Sequence, residues 1–329
     1  MNHSPSRAPV KADVMLEHGV ALRLFGTPDA PGRRLVEAVR PLRLHFSQAP
    51  GGVSVEGDQP AIELARRAID GLVKKAASGQ LDEAAVRAIT SQAIADALKH
   101  DLAYRLPGLP HAVRPMTLSQ VAFMEALLHG ESPLVFGVGP TGTGKTHLAI
   151  AAGLNLVAEG RFKSLVLTRP HVLLEGEVMT PVSRAETGAD DQLTPLEDVL
   201  QELIGHDELQ RRLEHGQVQI LPLGRLRGRT FNEAFVVLDE AQNMTVKKMR
   251  MAVTRLGRGS RMAIIGDPAQ IDLAADEPSG LAHLMKLLAG ADLAETCRFE
   301  LSEIIRNDAV ARIEALYAGE GKAGLRPAA

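Results

Sequence analysis

The chain has 329 residues, 45% hydrophobic and 23% charged, with 37 Lys and Arg against 40 Asp and Glu for a net charge of −3. That hydrophobic share supports a packed core and excludes a wholly disordered chain, and the length allows one large domain or a catalytic domain with a smaller companion. The single cysteine, Cys297, excludes a disulfide framework within the chain and a Cys-rich zinc site, while the net charge and the aromatic count (no Trp, 2 Tyr, 8 Phe) argue against a protein that coats nucleic acid or stacks bases on an aromatic platform.

Residues 1–15 are polar and lack an apolar stretch of the secretory type, so they read as a flexible tail. No run approaches the roughly 18 apolar residues of a membrane span. The expectation is a cytoplasmic protein. Val20, Leu22 and Leu24 alternate and predict a strand; Arg33 to Val39 predicts a helix and Leu42 to Phe46 a strand. Gly51 and Gly52 predict a hairpin turn into a strand that carries Val53 and Val55. Gln59 to Ser78 is amphipathic, with Ile62, Ala65, Ile69, Leu72 and Val73 on one helical face. Residues 16–78 therefore predict a small α+β domain. Residues 81–99 give one more helix, and Pro107, Gly108, Pro110 and Pro115 mark a linker, so 79–115 are expected to join this domain to the next. Residues 1–115 hold 15 Lys and Arg against 12 acids, whereas 116–329 hold 22 against 28, a charge split that also suggests two modules.

From Thr117 the pattern becomes strand-then-helix. Strand candidates are Leu134–Val138, Ser164–Thr168, Val218–Leu221, Ala234–Leu238, Met262–Ile265 and Arg298–Leu301, and helical stretches fall at 145–158, 196–214, 246–256 and 280–288. Short apolar strands alternating with helices imply an α/β fold, a parallel sheet covered by helices on both faces, over 116–318. Residues 319–329 read as a second flexible tail.

Gly139, Pro140, Thr141, Gly142, Thr143, Gly144, Lys145 and Thr146 fit G-x-x-x-x-G-K-[ST] between a strand and a helix. Glycines let the backbone wrap phosphate oxygens with N–H groups pointing inward, and the helix N-terminus favours anions. Lys145 supplies a point charge for the β/γ phosphates, and the Thr146 hydroxyl is a ligand for Mg²⁺. The strand Phe235–Leu238 ends in Asp239 and Glu240. Asp239 suits the Mg²⁺ shell, and Glu240 is placed to polarise an attacking water. A third strand ends at Gly266 and Asp267; by resemblance to RecA-like motors, where a polar residue after this strand senses the γ-phosphate, Gln270 is the candidate sensor, an ordinary strand–loop end being the alternative, and Asp267 is expected to support the loop.

Several stretches together resemble the PhoH family, a branch of RecA-like ATPases close to superfamily 1 helicases. They are Gly139–Thr146, Leu167–Pro170, Arg227–Asn232, Val237–Asn243, Thr254–Gly257, Gly266–Leu273 and Ser279–Leu281, in order across 116–318. The front domain resembles the family's KH-like module, and the branch of the family that carries a PIN nuclease domain is not the expected one. The resemblance implies a RecA-like P-loop NTPase core, ATP binding and hydrolysis with Mg²⁺, ring-like homo-oligomers (a hexamer being one candidate size), and a role in RNA metabolism with an endoribonuclease as partner. It makes Lys145, Asp239, Glu240, Gln270 and Arg306 the catalytic set, Arg306 as a finger. Thr146 and Asp239 become the metal ligands. Residues Gly139 to Thr146, His147 and Gln120 form the nucleotide-binding set, with Thr117 and Gln120 at the adenine. A Gly usually precedes that Gln; here it is Ser119.

Arg169, Arg227, Arg229 and Arg255 also fall in matching stretches, as phosphate or RNA contacts or as structural ion pairs. Between Pro170 and Asp191 the chain keeps the family's Gly-Glu at Gly176 and Glu177 but not the turn that follows it, a segment that could line a nucleic-acid path or a subunit contact. The front domain has no G-x-x-G loop, so its RNA contact would rest on Arg33, Arg34, Arg40 and Arg43. No His has metal-ligand spacing, and the side chains of His45 and His147 read as packing or surface groups. A nucleotide-gated scaffold that binds RNA or recruits an endoribonuclease, with little turnover, is the alternative. A small-molecule kinase has no legible acceptor site.

Overall fold

The computed structural model describes residues 10–16, 18–25, 27, 30–39, 44–49, 52–57, 59–100, 103–170, 193–274 and 277–305. They fall into two compact units. The described residues up to 104, with 114–122, form the first; 105–113 and those from 123 onward form the second.

The first unit contains β1 (Val10–Met15), α1 (His18–Phe25), α2 (Pro31–Ala38), β2 (His45–Ala49), β3 (Gly52–Gly57), α3 (Gln59–Ala77) and α4 (Glu83–His100). Its antiparallel sheet has the order β1-β3-β2, with Val10 opposite Gly57 and Ala49 opposite Gly52. Leu24, Leu35, Val55, Leu64, Ile69 and Leu72 are fully buried in its core.

Several expectations change here. The polar tail ends before Val10, because Val14 and Leu16 are buried and Ala12 packs beside them while Lys11, Asp13 and Met15 face out, the period of a half-buried strand. The predicted strand at 20–24 is a helix. Leu24 and Phe25 are buried with Val20 and Ala21 one turn earlier, and Leu22 is left 56% exposed. Strand β2 begins three residues later than expected. Helix α4 places Val86, Ala93 and Ala97 in the same core, so it is part of this unit and not linker.

The second unit is built on six parallel strands: β4 (Leu134–Val138), β5 (Ser164–Arg169), β6 (Val218–Pro222), β7 (Ala234–Leu238), β8 (Arg261–Gly266) and β9 (Ala294–Arg298). Their order is β6-β5-β7-β8-β4-β9. Every residue of β4, β7 and β8 is buried, as a parallel sheet covered on both faces requires. The helices are α5 (Leu118–His129, whose first turns belong to the first unit), α6 (Lys145–Ala158), α7 (Thr194–Ile204), α8 (His206–Glu214), α9 (Val246–Val253) and α10 (Gly280–Leu287). Phe136, Val236, Leu238 and Ile264 pack with Met249 of α9 and Leu281 and Leu284 of α10. On the other face Gly153 of α6 lies so close to Leu165 and Phe235 that a Cβ there would sit 2.5 and 2.9 Å from them, and Phe123 fills the space over Gly137. Fully burying a side chain of this size is worth about 1.5–3 kcal/mol.

The helix expected over 196–214 breaks at Gly205, where φ is 79°, into α7 and α8. The last strand is Ala294–Arg298 and not 298–301; Leu301–Glu303 forms a 3₁₀ turn with a capping box between Glu300 and Glu303. Cys297 is a buried thiol on β9. Among the described residues no helix is long and apolar enough to cross a membrane.

Candidate nucleotide site

The site assembles where β4, β5, β7 and β8 end, all four pointing the same way. The phosphate loop leaves β4 at Gly139. Three of its glycines have positive φ: Gly139 at 141°, Gly142 at 85° and Gly144 at 81°. At Gly139 a Cβ would stand 2.3 Å from the Phe299 carbonyl oxygen, so only glycine permits this path. The loop is tied from outside as well. The Gly139 N–H donates to Gly266 O (3.1 Å), and the Ile305 N–H donates to Gly142 O (3.1 Å). Thr143 is fully buried and donates its hydroxyl to Pro140 O at 2.9 Å.

Lys145 opens α6 with its ammonium folded into the loop. Nζ donates to Gly139 O (2.8 Å), Pro140 O (2.6 Å) and Thr143 Oγ1 (3.0 Å), and it stands 5.7 Å from the centre of the Phe299 ring. Burial pulls its pKa down to about 8, against the opposing pull of Asp267, Asp239 and Glu240. A desolvated cation beside glycine amides and a helix N-terminus is a place prepared for a polyanion.

Thr146, next on the helix, donates its hydroxyl to Asp239 Oδ1 at 3.0 Å. Asp239 follows β7, its N–H bonded to Thr168 O (3.0 Å), and its carboxyl is buried. Burial, and then the like charge of Glu240, push its pKa up to about 6, while Arg169 and the Thr146 hydroxyl pull the other way. Glu240 turns the chain through a left-handed conformation (φ 50°, ψ 37°) that costs a side-chain-bearing residue about 1–2 kcal/mol. Such backbone strain concentrates at functional sites. Its carboxylate meets Arg169 Nη2 at 3.2 Å and accepts a hydrogen bond from Gln242 Nε2 at 2.6 Å. Gln242 Oε1 in turn accepts the Asp267 N–H (3.1 Å), and Gln270 Oε1 accepts the Thr141 hydroxyl (3.0 Å).

The fold thus brings Gly139 to Thr146, Asp239, Glu240 and Gln270 into one site. Asp267 supports its loop as expected, accepting the Ala269 N–H at 2.9 Å. His147 follows Thr146 on α6, its Nε2 3.9 Å from Glu202 of α7, with burial lowering its pKa. Gln120 is part of the first unit and caps α5. Its Oε1 accepts the Met116 N–H (2.6 Å), and its own N–H donates to Thr117 Oγ1 (3.2 Å), close to a capping box. That geometry supports the cap and adds nothing to the adenine assignment. Arg306, Arg40, Arg43 and 171–191 lie outside the described residues. Two participants have no clear sequence signal: Phe299, which lies inside the strand expected over 298–301, and the pairing of Arg169 with Glu240.

The donor set fits a magnesium nucleotide. Thr146 and Asp239 converge on one point, and among the described residues no cluster of three or more His, Cys, Asp or Glu side chains offers a protein-only metal cage. Mg²⁺ favours such sparse sites, completing its octahedron with phosphates and water.

A phosphate loop, an acid pair and a parallel sheet in this arrangement define the P-loop NTPase fold class. The chain belongs to the PhoH-like family, whose model, described as "PhoH-like protein", matches residues 112–318. A PhoH-like protein of Bacillus subtilis is 34% identical over 307 residues, 90% of this chain and 93% of that one. One from Mycobacterium tuberculosis is 31% identical over 319 residues, 94% of this chain and 88% of that one. The Escherichia coli protein PhoH is 31% identical over a shorter 192 residues, 57% of this chain and 53% of that one.

Proposed function

We propose that this protein binds ATP with Mg²⁺ at the strand ends, hydrolyses it, and couples turnover to an RNA or ribonucleoprotein. The reading is carried by the 3.0 Å contact between Thr146 and Asp239, which joins the phosphate loop to the acid pair and sets Glu240 next to it. Bound Mg²⁺ would supply charge neutralisation at the phosphates. The residues do the rest. The loop amides and Lys145 hold the phosphates, which replace the loop carbonyls as partners of the ammonium. Thr146 and Asp239 hold the metal. Glu240 orients a water and accepts its proton. Gln270, already bonded to the loop at Thr141, reports the γ-phosphate.

The RNA part is supported by a cationic surface on the second unit. Arg225, Arg227, Arg229, Lys247, Lys248, Arg250 and Arg258 are all exposed along the segment after β6, helix α9 and the turn that follows. The turn and segment are joined: Phe231 N–H to Arg255 O (2.9 Å), Gly257 N–H to Phe231 O (2.6 Å), Arg258 N–H to Asn232 Oδ1 (2.9 Å). Phosphate backbones bind such surfaces by releasing counterions.

Phosphate release from ATP, with and without Mg²⁺ and single-stranded RNA, tests the reading. Lys145→Ala is expected to abolish turnover, and Glu240→Gln to reduce it by about 10²-fold or more while ATP stays bound. Unchanged turnover in Glu240→Gln would remove the mechanism. Binding without turnover in the unmodified protein, unaffected by RNA, would replace it with the nucleotide-gated scaffold.

A further inference from the structure

We propose that Arg169 is a positioning residue for the hydrolytic step, clamping the Glu240 carboxylate together with Gln242 so that its remaining acceptor sites face one fixed direction. The inference rests on the ATPase reading above and assigns it a residue that the motif logic leaves open.

A glutamate carboxylate moves on three rotatable bonds, and the Glu240 side chain is still 28% exposed, so the direction of its oxygens depends on the groups it meets. Two contacts do. Arg169 sits at the last position of β5, with Pro222 of β6 opposite it, and reaches Glu240 Oε1 at 3.2 Å. Gln242 reaches Oε2 at 2.6 Å. The orientation of the Gln242 amide is forced: its oxygen takes the Asp267 N–H at 3.1 Å, which leaves the amino end for Glu240. The Gln242 backbone is held too, its carbonyl accepting the Ser279 hydroxyl at 3.0 Å. Gln242 is buried and immobilised from three sides, so the adjustable half of the clamp is Arg169.

Charge points the same way. Asp239 and Glu240 are adjacent acids at one strand end, and Lys145 is spent on the loop carbonyls. Arg169 is the cation in contact with Glu240. Each carboxylate oxygen has two lone-pair directions, so the clamp still leaves acceptor capacity for a water. Arg169 meets the carboxylate as an ion pair, while Gln242 supplies the hydrogen bond to the charged group, so attraction and direction come from two different partners. The guanidinium meets the carboxylate through Nη2, and the measurements below separate this role from that of a phosphate ligand.

Two measurements on the full chain test it: steady-state phosphate release, and calorimetric binding of the slowly hydrolysed analogue ATPγS in the presence of Mg²⁺. Arg169→Ala is expected to lower kcat about 10- to 100-fold, the loss typical of a misplaced group, with KM and ATPγS affinity within about threefold. Arg169→Lys is expected to recover part of kcat. Adding Arg169→Ala to Glu240→Gln is expected to cost nothing more, because a clamp has no role once the carboxylate is gone. Loss of ATPγS affinity in Arg169→Ala that persists in the double variant would make Arg169 a phosphate ligand and overturn the proposal. A kcat equal to or above the unmodified protein's would overturn it as well, the latter because the pair would then withhold Glu240. If Arg169→Ala fails to fold, Arg169→Gln carries the same expectation and the same failure. Absence of turnover in the unmodified protein removes the ATPase reading and this inference together; an active protein indifferent to Arg169 removes this inference alone.

Discussion

Asp239 carries a charge that folding has taken out of water, and the consequence is a pH-dependent stability. Its carboxyl ionises near 3.8 in an unfolded chain but holds its proton to about 6 in the native site, chiefly because of burial. Between those values the folded form binds more protons than the unfolded one, so this group lowers stability as pH rises from 3.8 to about 6, and the loss persists above. The displacement corresponds to roughly 3 kcal/mol. Asp239→Asn removes that penalty and keeps an acceptor for Thr146. In Mg²⁺- and nucleotide-free buffer the variant is expected to be the more stable form at pH 7.5, by up to about 3 kcal/mol, with the advantage fading as pH falls through 6 towards 4. Urea melts across that range measure it; an advantage that grows at low pH would contradict the account. The identities of these residues were legible in sequence, because G-x-x-x-x-G-K-T and a strand ending in two acids are contiguous patterns. What Glu240 touches was not. Arg169 lies on another strand, and its choice of Glu240 follows from the β5-β7 pairing, which single-sequence periodicity does not report.

Buried parallel strands read as apolar runs, which is why β4 and β7 match their expected limits residue for residue and β5, β6 and β8 to within a residue at either end. The first unit was harder. Three alternating apolar residues at 20–24 satisfy a period of two as well as one helical turn, and β1 carries the charged Lys11 and Asp13 on its outer side, which breaks up the apolar run. The joint between β8, the 241–243 turn and α10 was invisible, since Gly266 is an ordinary strand residue until its neighbours are known. A Cβ there would meet Gln242 Oε1 and Leu281 Cδ2, both at 2.7 Å, and the Gln242 backbone nitrogen at 3.1 Å. Gly266→Ala is therefore expected to cost about 1–3 kcal/mol by overpacking, and to lower kcat by displacing Gln242 from Glu240. Gly160→Ala is the matching control. Its φ is 71° with nothing within 4 Å of the added atom, so it is expected to lose about 1 kcal/mol from backbone strain and to keep its turnover. Thermal melts and phosphate release on both variants decide the matter; equal kcat in the two would show that the joint does not reach the site.

At the scale of the whole chain, the net charge of −3 is an average that hides where cations collect. The sequence placed an RNA foothold in the front domain or on the loop arginines. Of the front cluster, Arg33 is exposed on α2 and Arg40 and Arg43 lie outside the described residues. The stretch from Arg225 to Arg258, which contains the loop arginines Arg227 and Arg229, presents seven exposed Lys and Arg against Glu233, the one exposed acid there, which is itself paired with Lys163. A phosphate chain laid across such a face binds with an affinity that falls with salt, each contact adding about 0.7 to the slope of log K against log salt for a single strand. Replacing Arg227, Lys248 and Arg258 together by Glu is expected to weaken single-stranded RNA binding at 50 mM salt by at least about tenfold and to flatten that slope by about two. ATP affinity is expected to hold, because none of the three touches the phosphate loop or the acid pair. Fluorescence anisotropy of a labelled oligonucleotide between 50 and 200 mM salt provides the slope. If the triple variant keeps the original slope and Arg33→Glu flattens it instead, the contact belongs to the first unit, and the cationic face of the second has another occupant.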